Sequence, residues 1–180
     1  MDILSTVLST LGLVSMIISF LIKGKNMKKI LFFVSLANIL VAASYFVGGS
    51  GINGVASCCL GAIQAIINYF FESKNKPLPK WLVVIYGLSF VIVNLVVSGF
   101  NGLSVLAIFA TLAFVMCIGQ KNGAKYRFWT IINIVLWCLY DFISGSYSVL
   151  ITHIPELVFV LVGVLIHDRK KKDKTEEAVK

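Results

Sequence analysis

As a pattern of apolar and polar positions, the chain is seven long apolar runs separated by short polar turns. The runs cover about residues 3–22, 29–48, 51–71, 81–98, 102–118, 126–146 and 148–167. Each holds roughly 17–21 residues, and at about 1.5 Å per helical residue that length crosses the ~30 Å hydrocarbon layer of a bilayer. Inside the runs, polar residues recur at helical rather than strand spacing. The pattern predicts an all-α polytopic membrane protein with seven transmembrane helices.

The polar positions define faces. The first helix aligns Ser5, Ser9, Gly12, Met16 and Ser19, small residues that allow close helix approach. The second aligns Val34, Asn38, Ala42 and Tyr45. The third carries a polar track of Asn53, Ser57, Gln64 and Asn68 with Gly61 beside it. The sixth carries Trp129, Asn133, Trp137 and Tyr140 on one stripe, with Asp141 at its edge. The seventh aligns Thr152, Glu156, Phe159 and Gly163. Pro155, next to Glu156, lacks an N–H and is expected to kink that helix.

The sixth helix repeats the second. An offset of 95 positions pairs Phe128 with Phe33, Asn133 with Asn38, Ile134 with Ile39, Tyr140 with Tyr45 and Gly119 with Gly24. After a one-residue gain, Gly145-Ser146 matches Gly49-Ser50. The expected architecture is therefore 3+1+3, two parallel triple-helix halves related by an axis along the membrane normal. Residues 1–167 form the transmembrane domain: 1–73 the first half, 74–100 a linker with Pro77 and Pro79 followed by helix four, and 101–167 the second half. Residues 168–180 are expected to form a disordered basic tail. The halves differ where Trp129 and Trp137 replace Val34 and Ala42.

Composition agrees: 58% of residues are hydrophobic, only 13% are charged, and mean hydropathy is +0.93. The net charge of +8 at pH 7 could suggest nucleic acid, but its distribution argues otherwise. Lys23, Lys25, Lys28 and Lys29 follow the first run, Lys74, Lys76 and Lys80 the third, Lys121, Lys125 and Arg127 the fifth, and Arg169 to Lys174 the seventh. The alternate turns, Gly48–Gly51, Ser98–Gly102 and Ser144–Ser148, carry no charge. By the positive-inside rule the N-terminus is outside and the C-terminus is cytosolic. Asp2 and no basic residue precedes the first run, so that run is expected to be retained rather than cleaved as a signal peptide.

Cys58, Cys59, Cys117 and Cys138 lie inside apolar runs without metal-ligand spacing, so neither disulfides nor metal are expected. No phosphate loop, zinc-protease motif or nucleophile elbow occurs, so neither an enzyme nor a cofactor is expected. An uncompensated carboxylate at the bilayer centre costs about 2.5–3.5 kcal/mol on insertion scales. Glu156 is therefore expected to face a cavity, and Asp141 either a cavity or outer water. The substrate-binding candidates are Asn38, Tyr45, Gln64, Trp129, Asn133, Trp137, Tyr140 and Glu156. Aromatic walls with a few amides suit a flat, polar, uncharged or cationic solute. The competing reading makes the asparagines interhelical glue worth about 0.6–2 kcal/mol each. The implied partners are membrane lipid and a small solute, with no nucleic acid. A chain holding both halves is compatible with a monomer or a homo-oligomer.

Several stretches carry a family resemblance: Gly12-Leu-Val-Ser15, the Lys-rich first loop, Tyr45-Phe-Val-Gly-Gly49, Leu60-Gly-Ala-Ile-Gln64, and the Trp-rich sixth helix ending in Ser-Gly-Ser. With these the chain resembles the YgjV-type bacterial inner membrane proteins and, more distantly, the SWEET and PnuC transporter superfamily. It departs from SWEET proteins in lacking a Pro-Gln dipeptide. The resemblance implies a multi-pass protein of the bacterial inner membrane. It also implies a facilitator of a vitamin precursor, nucleoside-like or other small polar solute. The alternative is an accessory or sensor protein that transports nothing.

Overall fold

The computed structural model of the chain describes residues 3–23, 26–48, 52–144 and 147–169. Seven α-helices lie among them: α1 Ile3–Leu21, α2 Met27–Gly48, α3 Ile52–Ser73, α4 Lys80–Ser98, α5 Gly102–Ile118, α6 Gly123–Ser144 and α7 Tyr147–Val164. A π-helical turn, Leu165–Arg169, extends α7. Four segments, Ile3–Leu21, Met27–Gly48, Gly54–Ser73 and Lys80–Val97, are long and apolar enough to cross a membrane, and Gly102–Ile118 and Thr152–His167 are shorter apolar helices. Large apolar side chains stay exposed on every helix, for example Val14, Phe32, Ile63, Leu88, Phe109, Val135 and Val158. Such a surface is poorly solvated by water and well solvated by lipid tails.

Helix limits fall within about three residues of those read from the pattern, the usual uncertainty of helix ends. Two differences matter. Helix α6 begins at Gly123, so Lys125 also lies on the helix, and Arg127 sits one turn inside it rather than at its end. Helix α7 includes Pro155 in its interior. The proline removes one donor from the ladder, and neighbouring turns hold the helix through it. The turn residues of the repeat, Gly24, Gly49, Ser50, Gly145 and Ser146, lie outside the described residues, as do positions 170–180 and the side chains of Asn53 and Asp141.

Helix α2 packs against α1 and α3, and α6 against α5 and α7. Contacts of α1 with α7 and of α3 with α5 close the sequence α1-α2-α3-α5-α6-α7 into a cycle. Helix α4 packs on α3 and α5 through a single stripe, Leu82, Tyr86, Phe90 and Asn94, with Trp81, Val84, Leu88 and Ile92 exposed. Side-chain size sets the tightness of the seams. Ser5 and Ser44 bond reciprocally to each other's backbone carbonyls, at 3.0 and 2.8 Å, tying α1 to α2. Gly163 brings α7 so close to α1 that an added Cβ would lie 2.6 Å from the Phe20 carbonyl oxygen.

Among the described residues, Lys28, Lys76 and Lys121 lie at one end of the bundle. Lys28 donates to the Ser73 carbonyl at 3.3 Å, and Lys76 and Lys121 border one crevice. The main hydrophobic core lies toward this basic end and draws on all six helices of the cycle: Phe20, Met27, Ile30, Leu31, Val34, Ala65, Cys117, Ile118, Tyr126, Ile134 and Val160. The basic end is therefore packed shut. The crevice there, between the α3–α4 turn and the end of α5, holds about 30 Å³, room for water and nothing larger.

Candidate functional site

Three amides, Asn38, Gln64 and Asn133, lie near the midpoints of α2, α3 and α6. In lipid each must satisfy its polar atoms inside the protein. Asn38 Nδ2 donates to the Val34 carbonyl on its own helix at 2.9 Å. Its Oδ1 lies over Gly61, where an added Cβ would approach it to 2.7 Å and Phe114 to 3.1 Å. Only glycine at position 61 lets the asparagine of α2 and the phenylalanine of α5 meet on α3. Asn133 Nδ2 crosses from α6 to the Ala110 carbonyl on α5 at 2.7 Å. The two repeat-paired asparagines thus differ in partner: one bonds its own helix, the other a neighbour.

Gln64 behaves differently from both. It is 1% exposed, and neither its Nε2 nor its Oε1 has a hydrogen-bond partner. One turn before it, Gly61 meets Asn38 and Phe114. One turn after it, Asn68 Nδ2 donates to the Ile118 carbonyl at 2.8 Å while Asn68 Oδ1 accepts from the Tyr86 hydroxyl at 3.3 Å. Residues 61, 64 and 68 share a helical stripe, so Gln64 lies on the face of α3 that meets α2 and α5 at Gly61 and α5 and α4 at Asn68. Each buried polar group left unpaired costs about 1–3 kcal/mol, and Gln64 carries two. Helices α3 and α5 also touch over a far shorter stretch than α1 with α2 or α2 with α3. The costliest polar group described thus sits in a thin seam.

The other candidates lie around this point rather than on it. Tyr45 packs its ring on Gly54 between α2 and α3, 2.8 Å from where a Cβ would stand. Trp137 and Tyr140 meet edge to face, with centroids 5.3 Å apart. Trp129 packs against the basic-end core and edge-on to Phe128. Glu156 is half-buried, with Oε2 3.3 Å from His153 Nδ1 one turn away on α7. No group of three metal-ligating side chains occurs among the described residues.

Sequence reasoning missed a second polar cluster, at the C-terminus of α1. Arg127, expected among the loop charges, is 1% exposed, and its Nη1 donates to the Ile22 carbonyl at 3.4 Å. The preceding residue, Tyr126, bonds Ser19 through its hydroxyl at 3.2 Å. His167 Nε2 bonds the Leu21 carbonyl at 2.9 Å, with the carbonyl as acceptor and Nε2 as the protonated nitrogen. A helix leaves its last carbonyls unpaired and its C-terminus partly negative, so an arginine and a histidine suit this place. The cluster ties α6 and α7 to α1. The sequence signal was the position of Arg127 beside an aromatic at the start of an apolar run, where a purely solvated cation gains nothing.

A family model described as bacterial inner membrane protein, Imp-YgjV, matches residues 3–171. No curated protein and no solved structure matches the chain, so the more distant resemblance to SWEET and PnuC proteins finds no support there.

Proposed function

The chain belongs to the Imp-YgjV family of bacterial inner membrane proteins, and from that premise we propose that it is a small-solute transporter of facilitator type. The observation that carries the reading is the unpartnered amide of Gln64 at the α3–α5 seam. A mid-helix amide buried with neither atom satisfied belongs to a conformation waiting for a partner. The solute would be a vitamin precursor, nucleoside-like compound or other small polar molecule. In this reading α1–α3 and α5–α7 are parallel halves joined by α4, with the basic end in the cytosol. The halves meet at the α3–α5 and α7–α1 seams, and rocking about them would give alternating access. Asn38, Asn133, Trp137, Tyr140 and Glu156 would complete the solute site with Gln64, and Tyr45 and Trp129 would flank it.

The test is a solute screen by thermal stabilisation of the purified protein, followed by uptake into liposomes. Wild type is expected to accumulate a stabilising solute to equilibrium, and Asn133→Ala or Trp137→Ala to abolish uptake with the fold intact. Normal uptake by both variants would remove these residues from the site. No uptake of any stabilising solute would remove the transport function. A second reading, a non-transporting accessory or sensor, is favoured by the interhelical bonds of Asn68 and Asn133, which hold helices without any ligand. It predicts that these substitutions change stability alone.

A further inference from the structure

We infer that Gln64 is the recognition group of a site at the α3–α5 seam for a small, flat solute bearing an N–H and a C=O side by side, as in a lactam, cyclic imide or carboxamide. The inference rests on the reading that this seam opens to a solute, and adds what that solute must present.

The geometry of the orphaned group sets the chemistry. A glutamine side chain offers one acceptor and two donors in one plane. Here both ends of that plane are free. A partner that satisfies both at once needs a donor and an acceptor in the same plane and at the same spacing, the pairing an amide side chain makes with a base edge. A point charge, whether ammonium or carboxylate, would pair with one end and leave the other bare.

The surroundings limit the rest of the solute. Phe114 lies one turn away, over Gly61, and offers an aromatic wall against which a flat body can lie. Neighbouring polar groups are already engaged. Asn68 uses both its nitrogen and its oxygen on Ile118 and Tyr86, Asn38 Nδ2 is held by Val34, and Thr111 Oγ1 bonds the Ala107 carbonyl at 2.9 Å. A polyol would bring several hydroxyls into a seam where the donors of Asn38, Asn68 and Thr111 are already bonded, and each unpaired one would oppose binding. One polar edge on an otherwise apolar ring fits.

The seam is closed in this conformation, and its closure is lopsided. Asn68 clasps the C-terminal carbonyl of α5 on the basic-end side of Gln64. On the other side the α3 stripe passes to Gly61 and Ser57, small residues. There Asn38 and Phe114 pack directly on Gly61, so opening on that side parts a close packing contact rather than a hydrogen bond.

The test uses the full chain, purified in detergent, with defined probes: uracil, 2-pyrrolidinone and benzamide, against 1,3-dimethyluracil and ribose. Binding is read by the shift in unfolding temperature and by intrinsic tryptophan fluorescence. At least one amide-edge probe is expected to bind, and 1,3-dimethyluracil, which keeps the ring but loses both N–H donors, to bind about tenfold more weakly or not at all. Gln64→Leu is expected to raise the unfolding temperature without probe and to abolish the shift with it. The inference is overturned if no amide-edge probe binds, if ribose or dimethyluracil binds as well as uracil, or if Gln64→Leu binds like wild type. A higher unfolding temperature for Gln64→Leu with no probe binding to wild type marks the amide as an isolated or water-filled defect, and also overturns it. Transport is scored separately in liposomes. Amide-edge binding without uptake retains this site and rejects the transporter. Uptake of a different solute with no amide-edge binding does the reverse.

Discussion

Replacing Gly163 by alanine tests whether the α7–α1 seam is set by backbone contact. A Cβ built there lies 2.6 Å from the Phe20 carbonyl oxygen and 3.2 Å from Arg127 Cδ. An ordinary carbon–oxygen approach is about 3.3 Å, so α7 would have to retreat from α1 by about 0.7 Å. The nearest atom is backbone in the last turn of α1, which cannot rotate away. The added Cβ would also press on the Arg127 side chain, whose bond to the Ile22 carbonyl is already 3.4 Å long. Overpacking of this kind costs about 1–3 kcal/mol. Alanine returns at most ~1 kcal/mol of helix propensity, less near a helix end. The net expectation is a loss of about 1–2 kcal/mol. Gly87→Ala is the control, because the nearest atom to its Cβ is the tip of Leu112 at 3.4 Å, an ordinary contact. There only the propensity term acts, a gain of up to ~1 kcal/mol. Unfolding in mixed micelles, followed by far-UV circular dichroism across an SDS titration, should therefore separate the two variants by about 1–3 kcal/mol. Equal stability, or a more stable Gly163→Ala, would show that the seam is looser than its geometry states.

Other expectations use the same assay. Ser19→Ala and Tyr126→Phe should each destabilise, and their double-mutant cycle should give a coupling of about 0.5–1.5 kcal/mol; additivity would mean that the 3.2 Å contact is not a bond. Arg127→Ala should cost about 2–4 kcal/mol, because the buried carbonyls at the end of α1 lose a charged donor; a cost below that of Lys125→Ala, an exposed neighbour, would place Arg127 outside the core. Asn133→Ala should cost about 0.6–2 kcal/mol through its lost bond to Ala110; a neutral effect would show that this bond does not hold α6 to α5.

Much of the fold was legible in the sequence because a bilayer imposes length and polarity on each helix separately. Seven apolar runs gave seven helices with limits close to those expected, since each run must satisfy its own backbone before it meets any other. The alternation of lysine-rich and uncharged turns followed likewise from local composition. The polar track of α3 was visible as a periodicity, and Gln64 stood out as an amide in the middle of an apolar run. What the pattern could not supply was the partner of each polar group. Asn38, Asn68 and Gln64 read alike, yet the first bonds its own helix, the second bridges α5 and α4, and the third bonds nothing. Likewise Arg127 read as a loop cation and is buried. Hydrogen bonds and burial are set by which helices become neighbours, and sequence spacing along one helix does not encode the neighbour. Periodicity fixes which face a residue occupies; only the closing of α7 onto α1 and of α3 onto α5 decides what that face meets.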